Sequence, residues 1–205
     1  MRPHDLLRIA SDAPPFDDAP AWVAAALERA PFVVVRRAPV RVDAIGIGIR
    51  GASRNERFGT WLDPRYVAEV FTPESLSKRE ADPVRARLPA FALLRATAKI
   101  IDETGLDWGP AGSTGFELAS SIPTVTPTSD LDLVIRAPDP LSHDDACKLF
   151  DALSQAARTE NTRIDVQIET PDAAFSLAEF ARTNLRVMLR HANGPRLATD
   201  PWAAR

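Results

Sequence analysis

Two stretches of this sequence alternate polar and apolar residues so regularly that a β-strand is the only element that sorts them. In Arg163-Ile-Asp-Val-Gln-Ile-Glu169 the alternation is unbroken, which predicts a half-buried strand. In Asp130-Leu131-Asp132-Leu133 the two acids fall on one strand face, roughly 7 Å apart at ~3.3 Å per residue, and the leucines turn into a core. If the two strands are neighbours, Asp165 joins Asp130 and Asp132 in a cluster of three carboxylates. Like charges held together are costly unless a cation neutralises them, and magnesium, a hard cation, takes oxygen ligands. The competing reading is a solvated strand face.

Composition sets the frame for that choice. The chain has 205 residues, 45% hydrophobic and 26% charged, with a formal net charge of -3, which leaves material for one domain or two modest ones. A mildly acidic total argues against a nonspecific nucleic-acid binder. The longest apolar run, Ala21 to Leu27, is too short to span a membrane, and the N-terminus lacks the apolar core of a signal peptide. Cys147 is the single cysteine, so neither an internal disulfide nor a cysteine-rich metal site is expected, and a reduced cytoplasmic setting is the default.

The pattern divides the chain in two. A first segment, residues 1–80, reads as a small α/β accessory domain. It contains a helix from Asp17 to Arg29, a strand at Pro31–Arg36, and a second strand through Ile45, Ile47 and Ile49 in which Gly46 and Gly48 admit close approach of backbone or ligand. Thr72-Pro73-Glu74 opens a helix, and Lys78–Pro83 reads as a linker. The second segment, residues 83–205, starts with a helix from Pro83 to about Glu103. Later come a helix over Ser142–Arg158 capped by Ser142, a helix over 176–184, and a hairpin over 186–197 turning at Asn193-Gly194.

Upstream of the acids lies a glycine-rich turn, Gly109 to Gly115, in which Gly112-Ser113 offers backbone and a hydroxyl to a phosphate. Gly-Ser, then Ser129-Asp-Leu-Asp-Leu-Val134, then a hydrophobic-Asp-hydrophobic strand resembles the polymerase β-like nucleotidyltransferase superfamily. A closer resemblance runs along nearly the whole chain. Arg2-Pro-His-Asp-Leu-Leu7, Trp108–Leu118, Ser129–Leu133, Asp165–Pro171, Gly194–Leu197 and Asp200-Pro-Trp202 look like phosphoribosyl-dephospho-CoA transferase, the holo-acyl-carrier-protein synthase of bacterial malonate decarboxylase.

That resemblance implies an α+β fold: a nucleotidyltransferase domain with a mixed sheet and flanking helices, preceded by the accessory domain. It implies transfer of the phosphoribosyl-dephospho-CoA group from triphosphoribosyl-dephospho-CoA to a serine of the apo acyl carrier protein subunit, with pyrophosphate leaving. Gly112, Ser113 and Ser129 would grip the donor, and Asp130, Asp132 and Asp165 would hold two magnesium ions and carry catalysis. A nucleotidyltransferase with another protein or a small molecule as acceptor, and an inactive nucleotide-binding module, are the competing functions. The stretch between Ser113 and Asp130 is longer than the superfamily commonly uses, so that connection has a form of its own.

The basic residues are 22 Arg against 3 Lys. Guanidinium grips phosphate in a bidentate fork, although a compositional bias of the genome gives the same count. Two clusters stand out: Arg36–Arg57, with Arg50, Arg54 and Arg57 beside the glycines, and the acid-free run containing Arg182, Arg186, Arg190 and Arg196. Either cluster can serve the triphosphate or an acidic carrier protein, or be solvated surface. Trp108 and Trp202 stack on an adenine or anchor the core.

Overall fold

The computed structural model describes residues 1–53, 55–182 and 186–203. The chain forms two compact units, Met1–Thr72 and Pro73–Arg205. The boundary precedes the expected linker, and Lys78–Pro83 lies inside the second unit. Architecture in both is α+β, and no helix among the described residues is long and apolar enough to cross a membrane.

The first unit is a five-stranded sheet in the order β4-β3-β2-β1-β5, formed by β1 (Leu6–Ile9), β2 (Phe32–Val35), β3 (Ile45–Arg50), β4 (Arg57–Leu62) and β5 (Val67–Phe71). Every pairing is antiparallel. Helix α1 (Ala21–Arg29) starts after Pro20, so Asp17 and Asp18 lie ahead of it rather than in its first turn. One sheet face buries Leu7, Ile9, Val33, Val35, Ile47 and Ile49 with Val23 of α1. This is the ordinary result of period-two alternation with one covered face.

The second unit holds a six-stranded sheet in the order β11-β10-β9-β8-β7-β6. Its strands are β6 (Asp107–Pro110), β7 (Leu131–Arg136), β8 (Ile164–Glu169), β9 (Ala173–Ser176), β10 (Val187–His191) and β11 (Gly194–Ala198). Only β7 and β8 pair in parallel, joined by α5 (His143–Thr159), the long crossover that parallel neighbours require. The Ser142 hydroxyl caps α5 by accepting from the Asp145 N–H at 3.1 Å. The helix expected from Pro83 to Glu103 is divided. A 3-10 turn covers Arg85–Arg87, Leu88 is extended ahead of Pro89, and α3 runs Pro89–Asp102. Proline disfavours helical backbone at the residue before it, which accounts for the break.

Helices α2 (Pro73–Leu76) and α4 (Gly112–Ser120) complete the unit with α6 (Leu177–Arg182). The expected helix end at Asn184 lies outside the described residues. The glycine-rich stretch read as a turn is therefore two elements: β6 followed directly by α4. Both tryptophans are anchors. Trp108 Nε1 donates to Asp102 Oδ1 at 2.8 Å, and Trp202 Nε1 donates to the Ala137 carbonyl at 2.9 Å while its ring packs edge-on against Phe175 and Phe180.

Candidate active site

Register places the acids. Asp132 and Asp165 are Cα partners in the parallel β7–β8 pair, so their side chains leave the same sheet face about 4.8 Å apart. Leu131 and Leu133 turn to the opposite face and are buried, as the alternation requires. Strand β7 begins at Leu131, so Asp130 is the residue before the first rung instead of a strand member. Its carboxylate lies 3.5 Å from Arg163 Nη2. Among the described residues no three carboxylate, imidazole or thiol groups stand close enough together to hold a metal ion. The site thus presents a pair of carboxylates side by side and a third that now faces an exposed arginine. The donors are all hard oxygens, which suits magnesium in kind, and Asp130 has to leave Arg163 to complete the set.

The glycine-rich segment reaches the same spot by strand geometry. Pro110 at the end of β6 is opposite Leu133, so the next residues fall beside Asp132. The Ala111 N–H donates to the Asp132 carbonyl at 2.9 Å, and α4 starts at Gly112. Gly112 has φ of +54°, and a Cβ there would overlap Asp132 Oδ2. Both facts require glycine: the left-handed backbone, and the carboxylate resting against its Cα. Ser113 follows as the second residue of α4. Gly112 thus lies against Asp132 at the N-terminal end of a nine-residue helix.

Ser129 also holds its own loop. Its hydroxyl accepts from the Thr126 N–H at 2.9 Å, and its carbonyl accepts from the Thr162 hydroxyl at 3.1 Å, closing the loop that delivers Asp130. The rest of that loop hangs on Glu117, which no spacing or motif singles out. The buried Glu117 carboxylate accepts from the N–H groups of Thr124 and Val125, each at 2.7 Å, and from the Arg85 guanidinium. Burial alone would push this acid up, but the Arg85 bond and the two backbone bonds outweigh it and hold Glu117 below the ordinary glutamate range.

The polar face continues behind the acids, and there the strand expected to be half-buried is covered on both faces. Beyond Asp132 and Asp165 come Val134 with Gln167, then Arg136 with Glu169. Gln167, Glu169 and Arg136 are only 9%, 5% and 7% exposed. Arg136 donates through Nε to Glu74 Oε1 at 3.0 Å, and its Nη1 lies 3.6 Å from Glu169 Oε2. Gln167 Nε2 donates to Glu169 Oε1 at 2.6 Å. Alternation identifies which residues share a face, but helix α2, which supplies Glu74, covers this one.

The arginine assignments fare unequally. Arg50 and Arg57 are register partners at the exposed end of β3 and β4, as neighbours should be. Arg54 lies outside the described residues. The glycines beside them are not open to a ligand: the Arg36 side chain lies across Gly48 and Gly59, and a Cβ on Gly59 would overlap its Nη1. Arg196 pairs with Leu189, which is buried on the face opposite the acids, so the sheet does not bring Arg196 to them.

The fold and paired acids define an α+β chain with the start of helix α4 set against Asp132, the register partner of Asp165. The comparisons with known proteins then fix the family. Residues 75–201 match the model for the phosphoribosyl-dephospho-CoA transferase MdcG C-terminal domain, and residues 2–73 match that for the N-terminal domain. The chain is 40% identical over 200 residues to a phosphoribosyl-dephospho-CoA transferase of Pseudomonas aeruginosa, covering 98% of this chain and 93% of that one. It is 39% identical over 204 residues to one of Pseudomonas putida (98% and 95% covered) and 37% identical over 203 residues to one of Azotobacter vinelandii (98% and 94%). No solved structure matches it. The chain belongs to the phosphoribosyl-dephospho-CoA transferase family, and it is a transferase.

Proposed function

We propose that this transferase moves the phosphoribosyl-dephospho-CoA group from 2'-(5''-triphosphoribosyl)-3'-dephospho-CoA to a serine of the acyl carrier protein subunit of malonate decarboxylase, releasing pyrophosphate. The serine oxygen attacks the phosphorus attached to the ribose, a new phosphoester bond forms, and the bond to the departing pyrophosphate breaks. The observation that carries the reading is the Asp132–Asp165 pair, in register on one face with Gly112 pressed against Asp132.

Such transfers need positioning and charge neutralisation more than covalent help from the protein. Asp132, Asp165 and, once turned from Arg163, Asp130 would hold magnesium, which when bound offsets the charge of the phosphates. Gly112 and Ser113 present backbone N–H groups at the start of α4, where an anion is favoured. Asp165, the more open of the paired acids, would take the serine proton. Arg50 and Arg57 supply positive charge for the donor or for an acidic carrier surface.

Mass spectrometry of the apo carrier subunit, incubated with enzyme, donor and magnesium, tests the proposal. The expected result is a single serine carrying the added group, with pyrophosphate released. Modification of a different acceptor, with the carrier untouched, would return the chain to a nucleotidyltransferase of other specificity.

A further inference from the structure

We propose that Arg190 binds the phosphates of the donor, held over the sheet by Gln167. The inference deepens the reading above, since it takes Asp132 and Asp165 as the centre of the site. The face is fixed by pairing. Asp165, Gln167 and Glu169 alternate along β8, Gln167 pairs with Ser176 and Glu169 with Ala174 on β9, and Ala174 pairs with Arg190 on β10. Cross-strand partners share a face, so Arg190 projects from the same face as the two acids.

Its guanidinium donates through Nη1 to Gln167 Oε1. Gln167 is two residues from Asp165 on that face, roughly 7 Å along the strand. A di- or triphosphate whose reacting end lies at the acids therefore extends toward Arg190.

Two arginines on this one face have opposite electrostatic surroundings. Arg136 is buried between Glu74 and Glu169, and its charge is already met. Arg190 is exposed, its described partner is a neutral amide, and no carboxylate lies within ion-pair distance of it among the described residues. Gln167 is itself held by Glu169, so it aims the guanidinium without neutralising it. A guanidinium fixed by one bond with its remaining donors open is suited to grip phosphate oxygens. Arg196, on the opposite face, is the natural control.

The test uses the full chain and inorganic triphosphate in magnesium buffer, with affinity read by isothermal titration calorimetry and folding checked by thermal melting. Arg190→Gln is expected to weaken triphosphate binding ~10-fold or more, the scale of one charged hydrogen bond. Arg190→Lys, which keeps the charge and loses the fork, should fall between, and it decides the matter if the glutamine variant melts early. Arg196→Gln should bind as wild type does. Equal affinity in wild type and both Arg190 variants, no measurable binding by wild type, or an equal loss in Arg196→Gln would overturn the proposal. Because no carrier protein is present, triphosphate binding that depends on Arg190 stands even if carrier modification fails.

Discussion

In the N-terminal sheet, β3 and β4 turn Ile47, Ile49 and Leu62 inward and send Arg50, Arg57 and the Arg36-covered glycines outward. In the C-terminal sheet, β7 and β8 make the same alternation, yet the second face is covered as well, and its charges are paired in a buried chain from Glu74 to Gln167. A polar residue on an open face costs nothing to leave in water, whereas one on a covered face must find a partner. The difference shows where function concentrates. The open face carries loosely placed charge, and the covered face holds its polar groups at fixed positions up to the edge where Asp132 and Asp165 emerge.

Substitutions that separate the two faces sharpen this contrast. The largest effect belongs to the acids. Asp132→Asn and Asp165→Asn should each lower single-turnover transfer by roughly 10³-fold or more, at the upper end for removal of one electrostatic contact at a reacting centre, with the melting temperature kept. Turnover near wild type in either variant would place the chemistry elsewhere. Glu169→Ala comes next. It strips one partner from a buried arginine and should destabilise the protein by about 3 kcal/mol, the lower end for a broken buried pair because Glu74 remains. The shift in urea midpoint measures it.

Gly112→Ala combines a left-handed backbone, worth about 1–2 kcal/mol, with displacement of the Asp132 carboxylate. Transfer should be lost well beyond what that stability change explains, and a crystal structure of the variant should show Asp132 moved. Glu117 makes a pH-dependent case. Its folded value is depressed, so the stability it contributes is complete above the ordinary glutamate value and disappears as pH falls through the lower folded value. The gap in melting temperature between wild type and Glu117→Gln should therefore be wide at neutral pH and narrow toward pH 3. The smallest effect is expected on the N-terminal sheet. Arg8 and Glu69 form a part-exposed pair at 3.0 Å, and Glu69→Ala should cost no more than about 1 kcal/mol. A loss matching that of Glu169→Ala would erase the distinction between the faces.

The local pattern made part of this legible. The run Ile164–Glu169 and the Ser142 cap each encode their element within a few residues and form where the pattern puts them, whereas the Asp-x-Asp stretch is strand only from Leu131 onward and leaves Asp130 ahead of it. Strands β1, β6 and β9 were not legible: each is four residues, too short a window for a period, and none has the β-branched run that marks β2 at the same length. The split at Leu88 was readable from Pro89, but the apolar spacing of the flanking helix masked it. Glu117 and Arg85 lie 32 positions apart and meet only through tertiary structure, so no spacing rule announces them. The partners of Gln167 and Glu169 were hidden for the same reason, since Arg190 meets Gln167 from β10 and Glu169 meets Arg136, itself bonded to the distant Glu74.

The parallel β7–β8 pairing also sets a timetable. An antiparallel hairpin such as β10–β11 can close as soon as its turn is made, but Asp132 meets Asp165 only after all of α5 has folded back between them. A chain cut before β8 leaves that edge of β7 without its partner and Asp132 without Asp165. The carboxylate pair therefore depends on the same rungs that lock the centre of the sheet, and a fragment lacking β8 cannot carry it.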